Sequence, residues 1–191
     1  SRLLVHSSIK DQMVGKLRER AEKIKQGNPL DPATTMGAMV DVNHAKKVEE
    51  FLNVGKAEAK LITGGDRFSI NDSDAFIQPT IFADVSEDAT IARDEIFGPV
   101  LAIQTFDTED EAIKMANKSV YGLAASVWTS NLARAMDLSD KLHVGTVSVN
   151  TVDALSAMTP FGGMKQSGFG RDLSIHSFDK YTALKTIWVK Y

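Results

Sequence analysis

Apolar positions in this chain first form a short block, then recur at helical spacing, and then alternate between blocks and helices. Leu3, Leu4 and Val5 make an apolar run within residues 2–6, which predicts a short strand. Ser7 or Ser8 is placed to cap a helix on which Ile9, Met13, Leu17, Ala21 and Ile24 fall on one face, with charges between them. Gly27, Pro29 and Pro32 end that helix. A second amphipathic helix is predicted over residues 41–56, with Ala45, Val48 and Leu52 inward. Residues 61–63 form a strand closed by Gly64 and Gly65, followed by a polar loop through Asn71, Asp72 and Asp74. Residues 76–85 are β-branched and aromatic but contain Pro79, which cannot donate to a ladder. An edge strand or extended segment is therefore expected there, not a central strand.

Residues 100–106 read as a continuous apolar strand, and residues 108–118 as a helix with Ala112, Met115 and Ala116 inward. A strand at 124–128, a helix at 132–143 and a strand at 146–150 follow. This alternation predicts the α/β class, with a parallel sheet flanked by helices. The end of the chain differs. A glycine-rich loop occupies residues 162–170, and residues 181–191 then alternate, with Leu184, Thr186 and Trp188 on one side and Lys185, Ile187 and Val189 on the other. A strand apolar on both faces is an aggregation hazard if left alone at a terminus, so it is expected to pair with another subunit or domain. The expected division is residues 1–160 for the main domain and 161–191 for the loop and an oligomerisation strand.

Composition removes several functions. The formal net charge is -3, with Lys and Arg scattered among Asp and Glu, which argues against a nucleic-acid partner. No apolar run approaches the roughly 20 residues of a membrane helix. No apolar leader precedes the first strand, so a cytoplasmic location is expected. The chain has no cysteine, which excludes disulfides, thiolate metal sites and a cysteine nucleophile within these residues. His6, His44, His143 and His176 are not paired at metal-ligand spacing, and no metal site is expected.

Four segments carry a family resemblance. Residues 95–100 read EIFGPV, residues 117–125 NKSVYGLAA, residues 145–150 GTVSVN, and residues 159–172 TPFGGMKQSGFGRD. They resemble, in order and spacing, the corresponding segments of NAD(P)-dependent aldehyde dehydrogenases, and the resemblance runs from Ser1 to Tyr191. In that family the catalytic cysteine lies a few residues before a strand that begins Ser-Arg, as Ser1 and Arg2 do here. The resemblance thus implies the C-terminal part of the catalytic domain plus the oligomerisation strand. The nucleophile, the general-base glutamate, the oxyanion-hole asparagine and the dinucleotide-binding domain would all lie upstream, and no residue of this chain is expected to be catalytic.

The implied reaction oxidises an aldehyde to a carboxylic acid with NAD or NADP, through a cysteine thiohemiacetal and thioester. By motif position Glu95 would bind the nicotinamide ribose hydroxyls and Phe97 would pack beside the ring or ribose. Taken without the motif, the two would read as a loop carboxylate and a core aromatic. Phe161, Asp153 and Leu155 occupy positions that line the aldehyde entrance in relatives. Phe161 also reads as plain core packing. Asp153 would favour a cationic or amino-bearing aldehyde, and equally reads as an Asx-turn residue. His44 and Lys47 share a face of the second helix, where relatives reach the adenosine end of the cofactor; Lys47 is the candidate, and His44 reads rather as part of a solvated face. The glycines at 162, 163, 168 and 170 match no phosphate-binding pattern. They read as a loop where backbones approach closely, with Arg171 and Asp172 as an ion pair or cap. The tail, including Arg171, Asp172, His176, Lys180 and Trp188, resembles the branch acting on γ-glutamyl-aminobutyraldehyde and other ω-amino aldehydes.

Two functions follow. The chain is a segment of an aldehyde dehydrogenase that works only with upstream residues, as a homo-oligomer (dimer or tetramer). Alternatively it is a catalytically inactive truncated product with an oligomerisation or binding role. A different enzyme built on this segment is disfavoured, since no carboxylate pair, Ser-His-Asp set or metal cluster is legible. The start at Ser1 instead of a methionine fits the fragment.

Overall fold

The structure is a computed structural model that describes residues 1–152 and 154–191. They form two compact units, Ser1–Ala112 and Ile113–Tyr191.

In the first unit, β1 (Arg2–His6) leads through a 3-10 turn at Ser7–Ile9 into α1 (Lys10–Glu22). The cap expected from Ser7 or Ser8 is not formed: α1 starts from Ile9 with no side-chain cap, and the His6 ring instead caps the 3-10 turn by accepting from the Ser8 amide at 3.2 Å. Next come α2 (Val42–Glu58), β2 (Lys60–Thr63), β3 (Arg67–Ile70), β4 (Ser73–Ile77), β5 (Thr80–Ala83), α3 (Thr90–Arg93) and β6 (Val100–Phe106). The Asp41 carboxylate caps α2 by accepting from the His44 amide at 2.8 Å, so that helix begins where its sequence signal lies.

Four strands make one sheet in the order β1-β6-β5-β2. β1, β6 and β5 run parallel, and β2 closes the edge antiparallel to β5, so the sheet is mixed. Alternate residues of each inner strand serve opposite faces. Ile81 and Ile103 join Val5 in a cluster covered by Met13, Val14 and Leu17 of α1. Phe82, Val100 and Ala102 join Ala45, Val48 and Leu52 of α2 and Ile91 of α3 in the other. Two covered faces explain why residues 100–103 are an unbroken apolar run and why Gln104 beyond them is buried.

Two expectations for this unit are corrected. Residues 76–85 are not an edge segment. Pro79 separates β4 from β5, and β5 is a fully buried inner strand between β6 and β2. The ladder begins one residue after the proline, with the Thr80 amide donating to the Pro99 carbonyl at 2.8 Å, so the missing donor costs nothing. The polar loop at 71–74 is in fact the turn of a hairpin. Asn71 and Asp72 have φ of 49° and 64° between β3 and β4, as a two-residue type I′ turn requires.

A further helix, α4 (Glu109–Asn117), spans the division between the units. The second unit holds β7 (Tyr121–Gly122), β8 (Ala124–Val127), α5 (Leu132–Lys141), β9 (Thr146–Val149) and β10 (Met164–Lys165). β8, α5 and β9 make a crossover whose strands pair parallel, from Ala124 opposite Thr146 to Val127 opposite Val149. Asn131 caps α5 by accepting from the Arg134 amide at 3.0 Å. β7 pairs antiparallel with β10 from the glycine loop. A Cβ on Gly145 would overlap the Gly162 carbonyl oxygen, which is the close backbone approach expected there.

One expectation fails in this unit as well. Arg171 and Asp172 do not pair with each other. The Arg171 guanidinium donates to the carbonyls of Gly163 and Gly170, at 2.9 and 2.7 Å, and Asp172 pairs with Lys180 at 2.7 Å. Residues 182–191 lie outside any strand. A strand exists only when its amides and carbonyls find a neighbouring ladder; among the described residues none pairs with this segment, and the partner expected for it is another subunit or domain. Among the described residues no helix is long and apolar enough to cross a membrane.

Candidate functional site

The segment joining α3 to β6 carries Glu95 and Phe97. Buried Ile96 anchors it in the core, and its two neighbours point to solvent: Glu95 is exposed and Phe97 is 75% exposed. Phe97 has φ of 52°, the left-handed region that a bulky L residue enters only when its surroundings hold it there. Gly98 then passes directly over α2. A Cβ there would lie 2.9 Å from both methyls of Val48, so no larger residue fits without a shift.

The same face of α2 holds the other side of the loop. His44, one turn before Val48, meets the Phe97 carbonyl through Nε2 at 2.8 Å. Its ring stands edge-on to the Phe97 ring, with centroids 6.3 Å apart and an interplanar angle of 74°. His44 was expected on a solvated face; its first-turn position one turn before an apolar contact residue was the signal that it serves the loop. Lys47 lies exposed on α2 three residues further on.

The strand that follows the loop, β6, pairs with β1 from its start. The Ser1 amino group donates to the Val100 carbonyl at 3.3 Å, and the Ala102 amide donates to the Ser1 carbonyl at 3.1 Å.

In the second unit Phe161 is half-buried. It is fixed by a bridge in which its amide donates to the Asp172 carbonyl at 2.9 Å and the Asp172 amide returns the bond at 2.7 Å. Leu155 is 55% exposed. Asp153 lies outside the described residues. The structure thus brings Glu95 and Phe97 together on one loop clasped by α2, while Phe161 and Leu155 belong to the other unit. Two open clefts of the first unit, of about 350 and 470 Å³, are lined by residues such as Gln26, Thr63 and Gln78, and Asn28, Ile70 and Phe76. Neither includes Glu95, Phe97 or Lys47. The loop offers a carboxylate acceptor and an aromatic face, which suits binding and orienting a ligand, and it supplies no nucleophile.

The chain belongs to the aldehyde dehydrogenase family, whose sequence profile matches residues 1–187. It is 45% identical over 189 residues to the NADP/NAD-dependent aldehyde dehydrogenase PuuC of Escherichia coli (strain K12), covering 99% of this chain and 38% of that protein. It is likewise 45% identical to the betaine aldehyde dehydrogenase of Sinorhizobium fredii, covering 99% of this chain and 39% of the relative. Among solved structures, P. syringae AldA, an indole-3-acetaldehyde dehydrogenase in complex with NAD+ and IAA, superposes with a TM-score of 0.95 at 47% identity, over 100% of this chain and 39% of that one. The chain spans under two-fifths of the length of these relatives.

Proposed function

We propose that this chain is the C-terminal portion of an oxidoreductase that converts an aldehyde to a carboxylic acid with NAD or NADP. The observation that carries this reading is the Glu95–Phe97 loop, which is clasped by α2 and presents an exposed carboxylate and an exposed aromatic ring. In the family resemblance the nucleophilic cysteine lies a few residues before β1, the strand that pairs parallel with β6, and β6 directly follows this loop.

The residues present fit a dinucleotide. The cofactor, when bound, supplies hydride acceptance. Glu95 is an exposed carboxylate suited to accept hydrogen bonds from the two ribose hydroxyls. Phe97 offers an exposed flat ring on a fixed backbone, suited to packing beside the nicotinamide or its ribose. Lys47, on the same helix as the loop's clasp, is assigned to the adenosine end. Phe161, Leu155 and Asp153 are assigned to the aldehyde entrance, with Asp153 favouring an amino-bearing or cationic aldehyde. The similarity to PuuC and to betaine aldehyde dehydrogenases supports such a substrate, with ω-amino aldehydes as the class to try first. Residues 1–160 belong to the catalytic domain on this reading, and residues 161–191 form the loop and the segment through which a homo-oligomer assembles.

The test is the intact mass of the protein as isolated from its source, with NAD+ and NADP+ reduction assayed on a panel of aldehydes that includes ω-amino aldehydes. A mass well above 20.8 kDa with reduction of either cofactor is expected. A mass of 20.8 kDa with no reduction replaces this reading with an inactive product that keeps only assembly or binding. Within an active protein, Glu95→Gln is expected to weaken cofactor binding by about tenfold or more, the worth of a charge-assisted hydrogen bond.

A further inference from the structure

We propose that His44 is a positioning residue, a clasp that holds Phe97 in its left-handed conformation and so sets the face the loop presents. Three observations carry it. Phe97 keeps φ of 52° although its ring is 75% exposed, so packing of the side chain does not account for the backbone. The Phe97 carbonyl, in this left-handed conformation, accepts a 2.8 Å hydrogen bond from His44 Nε2. His44 is itself fixed, because its amide is bound by the Asp41 cap at 2.8 Å and it lies one turn before Val48, the seat of Gly98. α2 therefore grips the loop at two successive points, an apolar one at Gly98 and a polar one at Phe97.

The ring contact between His44 and Phe97 is the competing explanation. It separates from the clasp because the two need different parts of His44. The clasp needs an N–H at the Nε2 position; the ring contact needs an aromatic edge. A glutamine places an N–H at a similar reach without a ring, and a phenylalanine keeps a ring without a donor.

The link to ligand binding rests on the assignment of Glu95 and Phe97 to the cofactor; the clasp itself does not. The experiment uses the full-length enzyme that carries this chain, as wild type and as His44→Gln, His44→Phe and His44→Ala. Hydrogen exchange of peptides spanning residues 95–100 is measured without cofactor, and NAD+ and NADP+ dissociation constants are measured by direct titration without aldehyde. Exchange in the loop is expected to rise by about two- to tenfold in His44→Phe and His44→Ala and to stay near wild type in His44→Gln. Cofactor affinity should fall in the same order and by a similar factor. Exchange unchanged in His44→Phe, or raised in His44→Gln alone, overturns the clasp in favour of ring packing. Exchange raised as expected, with cofactor affinity unchanged, upholds the clasp and removes Glu95 and Phe97 from the cofactor site.

Discussion

Phe82 in the first unit and Trp188 in the second are both large aromatic residues, yet Phe82 is fully buried and Trp188 is 92% exposed. The contrast is general. Among the described residues, Met115 and Ala135 are the buried hydrophobic residues of the second unit; the rest of that core lies before residue 104. The first unit closes its sheet with a helix layer on each face and is a core in its own right. The second has a two-stranded parallel pair, a two-stranded antiparallel pair and a long tail, and leaves Leu132, Met136, Phe169 and Ile187 exposed. Exposed apolar surface on that scale marks a contact face. The difference teaches that the first unit is held by its own packing, whereas the second leaves most of its large apolar side chains uncovered.

That contrast can be broken most sharply at Phe82. Phe82→Ala removes a ring from the centre of the first core and is expected to cost about 3–5 kcal/mol in denaturant unfolding; a cost under 1 kcal/mol would mean that the first unit does not depend on its own core. Gly98→Ala tests the loop's seat. Its Cβ would press on the Val48 methyls, with an expected loss of about 1–3 kcal/mol, read from the same unfolding curves. The caps compare the units directly. Asp41→Ala on α2 and Asn131→Ala on α5 each remove one amide acceptor and should each cost about 1 kcal/mol. If the second unit is already loosely held, thermal melting will show a smaller loss for Asn131→Ala. At the small end, Trp188→Ser should shift stability by no more than about 0.5 kcal/mol. Its effect belongs to assembly: light scattering is expected to show a smaller particle than wild type. A wild-type protein that runs as a monomer, with the tail unpaired, would remove the tail's assigned role.

How far the sequence could be read follows the same division. α2 was legible almost to the residue, because Asp41 is a strong cap and Ala45, Val48 and Leu52 repeat at helical spacing. The EIFGPV segment was legible as a motif, which placed attention on Glu95 and Phe97 before any geometry was known. His44 was passed over, because a histidine amid charged neighbours looks solvated until a carbonyl from residue 97 is brought against it. Pro79 misdirected the reading of residues 76–85, since a proline inside a strand and a proline just before one look alike in sequence. Only the pairing of Thr80 with Pro99 separates them. Arg171 and Asp172 were adjacent and opposite in charge, yet Arg171 donates to carbonyls that precede it, at Gly163 and Gly170, and Asp172 pairs with Lys180 further along the chain.

By itself, then, the sequence determined the α/β alternation, the helix starts, the absence of a thiol nucleophile and the family motifs. All of these are local, written in spacing and residue type. The tertiary structure decided which strand lies inside the sheet and which carbonyl His44 serves. Each of those is a contact between residues far apart in sequence, and local propensity carries no information about which distant backbone will arrive to satisfy a donor or cover a face.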